Sequence, residues 1–124
     1  MLFEMVNIDT STISRDDFFN TVLANNEGLV ILKFGAEWCR PCQLCKDQVY
    51  SYFNLMPNNV KCYDVDVDES FDLYAYLKSK RMINGIPAIL AYKKGNDTFA
   101  PDLTVTGANQ ESITNFFYSC NNLL

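Results

Sequence analysis

The feature that most constrains this chain is the run Leu29-Val30-Ile31-Leu32-Lys33-Phe34, apolar at every position but one. A strand wetted on one face alternates apolar and polar residues, whereas a strand covered on both faces reads as a continuous apolar run. The chain must therefore build layers on both sides of the sheet that holds this strand, which points to an α/β arrangement. Lys33 is the misfit, because a charge on such a strand needs a partner or a route to water.

The segments around this strand fit the same plan. Leu2 to Ile8 alternates like a strand, and Ser14 followed by Asp17 has the spacing of a capping box opening a helix through Phe18, Phe19, Val22 and Leu23. The Asn25-Asn26-Glu27-Gly28 break precedes the central strand. Beyond it, Pro41 suits the first turn of a helix running through Leu44, Val49, Tyr52 and Phe53 to Leu55, and Met56-Pro57-Asn58-Asn59 ends it. Val60 to Val67 alternates, with Val60, Cys62, Asp64 and Asp66 on one face and Lys61, Tyr63, Val65 and Val67 on the other. Phe71, Leu73, Tyr74 and Leu77 mark a third helix, Ile86 to Tyr92 a strand closed by Lys94-Gly95, and Leu103 to Thr106 its hairpin partner. Ile113, Phe116, Phe117 and Cys120 recur at helical spacing in a closing helix capped by Asn109. The order is βαβαβαββα without repeat or linker, which makes residues 1–124 one expected domain with a mixed sheet between helices.

Composition narrows the function. The 124 residues are 48% hydrophobic, enough for the core of one domain, and the net charge of -5 makes a mildly acidic surface that repels phosphate backbones. Nucleic acid is therefore not an expected partner. No stretch approaches the apolar length needed to cross a bilayer, so no membrane partner is expected, and Met1 to Thr10 has neither the basic leader nor the apolar run of a signal peptide. The five cysteines are an odd number and lack the regular spacing of small secreted scaffolds, which favours a reducing, cytoplasmic setting. Histidine is absent, so any acid–base work falls to Cys, Asp, Glu, Lys or Tyr.

The chemistry concentrates in Cys39-Arg40-Pro41-Cys42. A Cys-x-x-Cys at a helix start places its first sulfur over unpaired backbone N–H groups and the positive end of the helix dipole, and both favour thiolate. Thiolate is the nucleophile. The second cysteine, one turn further in, can close a disulfide and resolve a mixed disulfide with a substrate. The same spacing serves zinc sites, and Cys45 extends the run to three cysteines, so an iron–sulfur or zinc module with a fourth ligand from a second chain is an alternative. Against it, the fourth cysteine and following proline of the ferredoxin pattern are missing. Cys45, Cys62 and Cys120 fall on patterned positions and read as core filler, and no resident metal or cofactor is expected. Asp64 to Asp68 lacks the glycine of a calcium loop.

The segment Phe34-Gly35-Ala36-Glu37-Trp38-Cys39-Arg40-Pro41-Cys42 resembles the active-site region of the thioredoxin family. Asp64-Val65-Asp66-Val67-Asp68 looks like the family's third-strand segment, Gly85-Ile86-Pro87-Ala88 its cis-proline loop, Lys93-Lys94-Gly95 its hairpin turn, and Gly107 its glycine before the last helix. The resemblance covers essentially the whole chain, with short insertions between Asp68 and Pro87 and around Phe99-Ala100-Pro101-Asp102. It implies a thioredoxin fold, a mixed sheet of about five strands flanked by about four helices. It also implies a thiol–disulfide oxidoreductase that reduces protein disulfides, with Cys39 the exposed attacking cysteine and Cys42 the resolving one. Substrate would be bound by Trp38, Arg40, Pro41, Ile86 and Pro87, the last a cis residue. Electrons would come from an external donor such as a thioredoxin reductase, and a monomer is expected. A thioredoxin-like scaffold valued for a protein interface is a further alternative.

Three positions depart from the family pattern. Arg40 replaces the usual glycine between the cysteines, Asp47 stands where the family has a helix-kinking proline, and Lys33 occupies the place of a buried carboxylate. The neighbouring strand, which in the family often supplies a lysine beside that carboxylate, has Asp64 here. The pair looks charge-reversed, with Asp47 a rival partner for Lys33. An ammonium at Lys33 could not accept the proton of Cys42 but would favour its thiolate, which makes Lys33 and Asp64 candidate catalytic residues.

Overall fold

The computed structural model describes residues 8–124 and contains one mixed sheet between two helical layers. Its strands are β1 (Ile8–Asp9), β2 (Leu29–Gly35), β3 (Val60–Asp66), β4 (Ala88–Lys93) and β5 (Leu103–Thr106), in the spatial order β1-β3-β2-β4-β5. β1 and β2 run parallel to β3, while β2 with β4 and β4 with β5 are antiparallel. The apolar run is the central strand, buried along its whole length including Lys33. Of the expected first strand, Leu2 to Ile8, only Ile8 falls among the described residues; it pairs with Cys62, and the strand runs one residue further, to Asp9 opposite Tyr63.

The helices are α1 (Arg15–Asp17, continuing through Phe18–Leu23), α2 (Arg40–Asn54), α3 (Phe71–Ser79) and α4 (Gln110–Asn121). Ser14 and Asp17 form the capping box that starts α1. The first helix departs from expectation in its second half, where Phe18–Leu23 widens into a π-helical turn. The wider winding brings Phe18, Val22 and Leu23 onto the buried side together. Phe18 then meets Tyr92 edge to face, at 5.2 Å between ring centroids. Asn109 caps α4 by accepting the Ser112 N–H.

Two apolar layers follow from the alternation of β2. Val30, Leu32 and Phe34 pack with Phe18, Leu73, Leu77 and Val65 on one side. Leu29 and Ile31 pack with Val49, Phe53, Ile113 and Phe117 on the other. Burial of side chains this size contributes about 1.5–3 kcal/mol each. β3 alternates as its sequence does, with Val60 and Cys62 in the second layer and Val65 and Val67 in the first. Three apolar residues expected to mark helical core faces stand outside it: Leu44, Leu55 and Phe71 are exposed. On α2 the buried stripe is instead Cys42, Cys45, Val49 and Phe53, whose three- and four-residue spacing keeps them on one side of the helix.

Candidate active site

The site lies where β2 ends and α2 begins. Gly35 closes the strand, Ala36 accepts the Cys39 N–H and the Gln43 side-chain amide, and the chain enters α2 with Cys39 at its N-cap. Arg40 and Pro41 occupy the first turn, where the missing N–H of proline costs nothing, and both are exposed. Cys39 Sγ accepts the backbone N–H of Cys42 at 3.3 Å, so the sulfur takes the place that a Ser or Asp side chain holds in an ordinary cap. Negative charge on that sulfur would face the amide and the helix dipole.

Cys39 and Cys42 form a disulfide, with their α-carbons 5.3 Å apart. The expectation of an exposed Cys39 needs correction. Cys39 is only 6% exposed and Cys42 1%, because both pack into the first apolar layer, with Ile86 against it and its carbonyl oxygen 3.8 Å from Cys39 Sγ. Cys39 is still the more accessible of the two. The Ile86–Pro87 bond is cis, Pro87 is buried, and its carbonyl accepts the Gly107 N–H at 2.8 Å. Gly107 adopts φ 94°, a left-handed conformation that glycine enters without penalty.

Trp38 is 69% exposed beside the disulfide, and its indole N–H donates to Asp68 Oδ2 at 2.8 Å. The three aspartates of the third-strand segment thus have separate partners. Asp68 holds Trp38, Asp66 accepts the N–H groups of Asp68 and Glu69, and Asp64 faces Lys33.

Lys33 Nζ lies 3.6 Å from Asp64 Oδ1, with the side chains 4% and 19% exposed respectively. Asp47 is exposed on α2 and forms no ion pair among the described residues. The lysine also lies close to the disulfide. A β-carbon placed on Gly35 would stand 3.3 Å from Cys42 Sγ and 3.4 Å from Lys33 Nζ, so ammonium and sulfur border the same small space, which only a glycine leaves open. A residue that the sequence did not single out completes the group: the Tyr50 hydroxyl donates to Asp64 Oδ2. Burial and the neighbouring carboxylate both push the Tyr50 phenol upward, so it remains a donor. The only sign of it in the sequence is its position on α2, two turns beyond Cys42.

The other cysteines are free and buried. Burial raises the thiols of Cys62 and Cys120 to about 12, and it raises Cys45 too, against the opposing pull of Lys33. Cys45 packs in the second apolar layer while Cys39 and Cys42 pack in the first. Among the described residues no group of three or more Cys, His, Asp or Glu side chains is arranged to hold a metal ion.

A dithiol at a helix N-terminus, beneath a cis-proline loop and on a β-α-β-α-β-α-β-β-α frame, defines a thiol–disulfide exchange domain. Known proteins agree. The thioredoxin family model matches residues 9–119. Mouse thioredoxin is 32% identical over 100 residues, covering 81% of this chain and 87% of that protein. Thioredoxin 3 of Plasmodium falciparum is 33% identical over 88 residues, covering 71% of this chain but 46% of the longer relative. Among solved structures, the thioredoxin of Trichomonas vaginalis superposes with a TM-score of 0.72 at 23% identity, over 91% of this chain and 96% of that one. The chain belongs to the thioredoxin family, and it is a thiol–disulfide oxidoreductase. Among the described residues no helix is long and apolar enough to cross a membrane.

Proposed function

We propose that this protein reduces disulfides in other proteins, acting as a single cytoplasmic domain over residues 1–124 and as a monomer. The observation that carries the reading is the Cys39–Cys42 pair at the N-cap of α2, with Cys39 the more accessible sulfur. In the reduced protein the Cys39 thiolate attacks one sulfur of a substrate disulfide. A mixed disulfide forms, and the other substrate sulfur leaves and takes up a proton. Cys42, as thiolate, then attacks Cys39 Sγ and releases the second substrate thiol. The substrate gains two electrons and two protons, and the pair ends as the disulfide. An external donor of the thioredoxin-reductase kind returns it to the dithiol, with no bound cofactor.

Trp38, Arg40, Pro41 and the Ile86–Pro87 loop surround the sulfurs and would hold the substrate chain against them. Lys33 as ammonium cannot take the Cys42 proton, but it favours the thiolate, leaving Asp64 or water from the adjoining cleft as acceptor. Reduction of the insulin interchain disulfides with dithiothreitol as donor tests the reading. Cys39→Ser and Cys42→Ser proteins should each lose the acceleration entirely. Full activity in either would remove the dithiol mechanism.

A further inference from the structure

A lysine side chain has four rotatable bonds and a strongly hydrated head, so it stays beside a buried sulfur only if something holds it there. Here the alternative is close at hand. A cleft of about 230 Å³ opens over Lys33 and Asp64 at the side of α2, and would admit the ammonium to water. Asp64 can restrain Lys33 only if the carboxylate is itself fixed, and 19% of that side chain is open to solvent.

Tyr50 supplies the restraint from the helix. Its hydroxyl donates to Asp64 Oδ2, which leaves Oδ1 to face Lys33. The ring is itself confined, stacked on Phe53 with centroids 6.3 Å apart and with Lys46 Nζ 5.4 Å from its centroid. We propose that Tyr50 is a positioning residue for thiol–disulfide exchange: by fixing the Asp64 carboxylate it keeps the Lys33 ammonium beside Cys42 Sγ and so favours the Cys42 thiolate that resolves the mixed disulfide. The proposal rests on the function given above and deepens it by assigning a role to a residue that neither Cys-x-x-Cys nor the loops contain.

The other charged groups around the cleft are Lys46 from α2, Glu37 from the loop before it, and Asp66 and Glu69 from the end of β3 and the turn beyond. The thiol of Cys45 is also within the influence of Lys33 and Asp64. All of these remain in a Tyr50→Phe protein, which also keeps the ring and its stacking.

The test isolates Cys42 in the full chain carrying Cys39→Ser, where no turnover occurs. The rate of iodoacetamide alkylation at Cys42, followed by mass mapping from pH 5 to 10, gives its titration midpoint. Tyr50→Phe should move that midpoint upward by about half a pH unit or more, the scale of losing a hydrogen bond to a charged group. The same substitution in an Asp64→Asn background, or in a Lys33→Met background should Asp64→Asn not fold, should produce no further shift. An unchanged midpoint would overturn the proposal, as would an equal shift in those backgrounds, which would mark a packing effect. Failure of the unaltered protein to reduce insulin would instead overturn the function and leave this titration interpretable.

Discussion

Lys33 and Asp64 are direct partners in the parallel β2–β3 ladder, and their charged ends meet at 3.6 Å on the face of the sheet that α2 covers. Adjacent strands thus carry the pair as neighbours in the register, and no loop need order to bring them together. The two ends are not equivalent. Lys33 is nearly closed off, while Asp64 keeps the Tyr50 hydroxyl and some solvent.

That asymmetry sets the order of mutational costs. Asp64→Asn takes the charge partner from a nearly closed-off ammonium and should cost up to about 3–5 kcal/mol, the full amount applying only where the adjoining cleft fails to rehydrate it. Lys33→Ala leaves a carboxylate that still has a donor and water, and should cost less, about 1–3 kcal/mol. Lys33→Asp combined with Asp64→Lys should recover much of the loss. Urea denaturation of Lys33→Asp, Asp64→Lys and their combination measures the coupling, and a coupling near zero would show that the pair contributes nothing as a pair.

Reactivity should single out Cys39. It sits at the N-cap and is the more exposed sulfur of the pair, whereas Cys45, Cys62 and Cys120 are buried thiols raised by burial. Brief iodoacetamide treatment of the native reduced protein followed by mass mapping should find Cys39 modified first. Preferential modification of Cys42 or Cys45 would reverse the assignment of nucleophile.

Arg40 is exposed next to Cys39 and should stabilise its thiolate, which belongs to the reduced form. Arg40→Gly should therefore lower the reduction potential. Screening by salt keeps the effect modest, roughly 10–30 mV against a glutathione series. A rise in potential would contradict the charge argument.

The buried thiols make the fold sensitive to alkali. Cys62 and Cys120 ionise at about 12 in the folded chain against 9.0 for a free thiol, because burial disfavours their thiolates. The unfolded chain therefore releases these protons first as pH rises. Their stabilising contribution is complete below pH 9 and declines between about pH 9 and 12, at up to about 1.4 kcal/mol per pH unit for each group. The raised phenols of Tyr50, Tyr63 and Tyr92 act in the same direction at higher pH. Denaturation from pH 8 to 11 should show the fall, and Cys120→Ala should make it shallower. An unchanged slope in that variant would exclude Cys120 as a source.

Much of this architecture is legible in the sequence because strand burial leaves an unambiguous mark. The run Leu29 to Phe34 could only be central, and the alternation of Val60 to Val67 gave both its faces. Helical faces are less legible. Leu44, Leu55 and Phe71 are apolar yet exposed, since which side of a helix is covered depends on neighbours distant in sequence. The π-helical turn at Phe18–Leu23 is not legible either, because the apolar spacing of Phe18, Phe19, Val22 and Leu23 fits an ordinary helix as well. In the site, Cys39 and Cys42 declare themselves by spacing. Lys33 and Asp64 drew notice as a charge on an apolar strand and a carboxylate on its neighbour. Tyr50 did not, because an aromatic residue in an amphipathic helix is ordinarily packing, and its hydroxyl acquires a role only where β3 presents Asp64.

Five cysteines in so small a protein invite short circuits, in which the active-site disulfide is passed to a resident thiol. Cys62 on β3 and Cys120 on α4 are buried in the layer away from Cys39 and Cys42, where burial holds them as neutral thiols. Cys45 stands nearer, on the same buried stripe of α2 as Cys42, and its thiol too is raised by burial. The fold thus wires one two-electron contact at the mouth of α2 and keeps the resident thiols in the protonated form, which does not attack a disulfide.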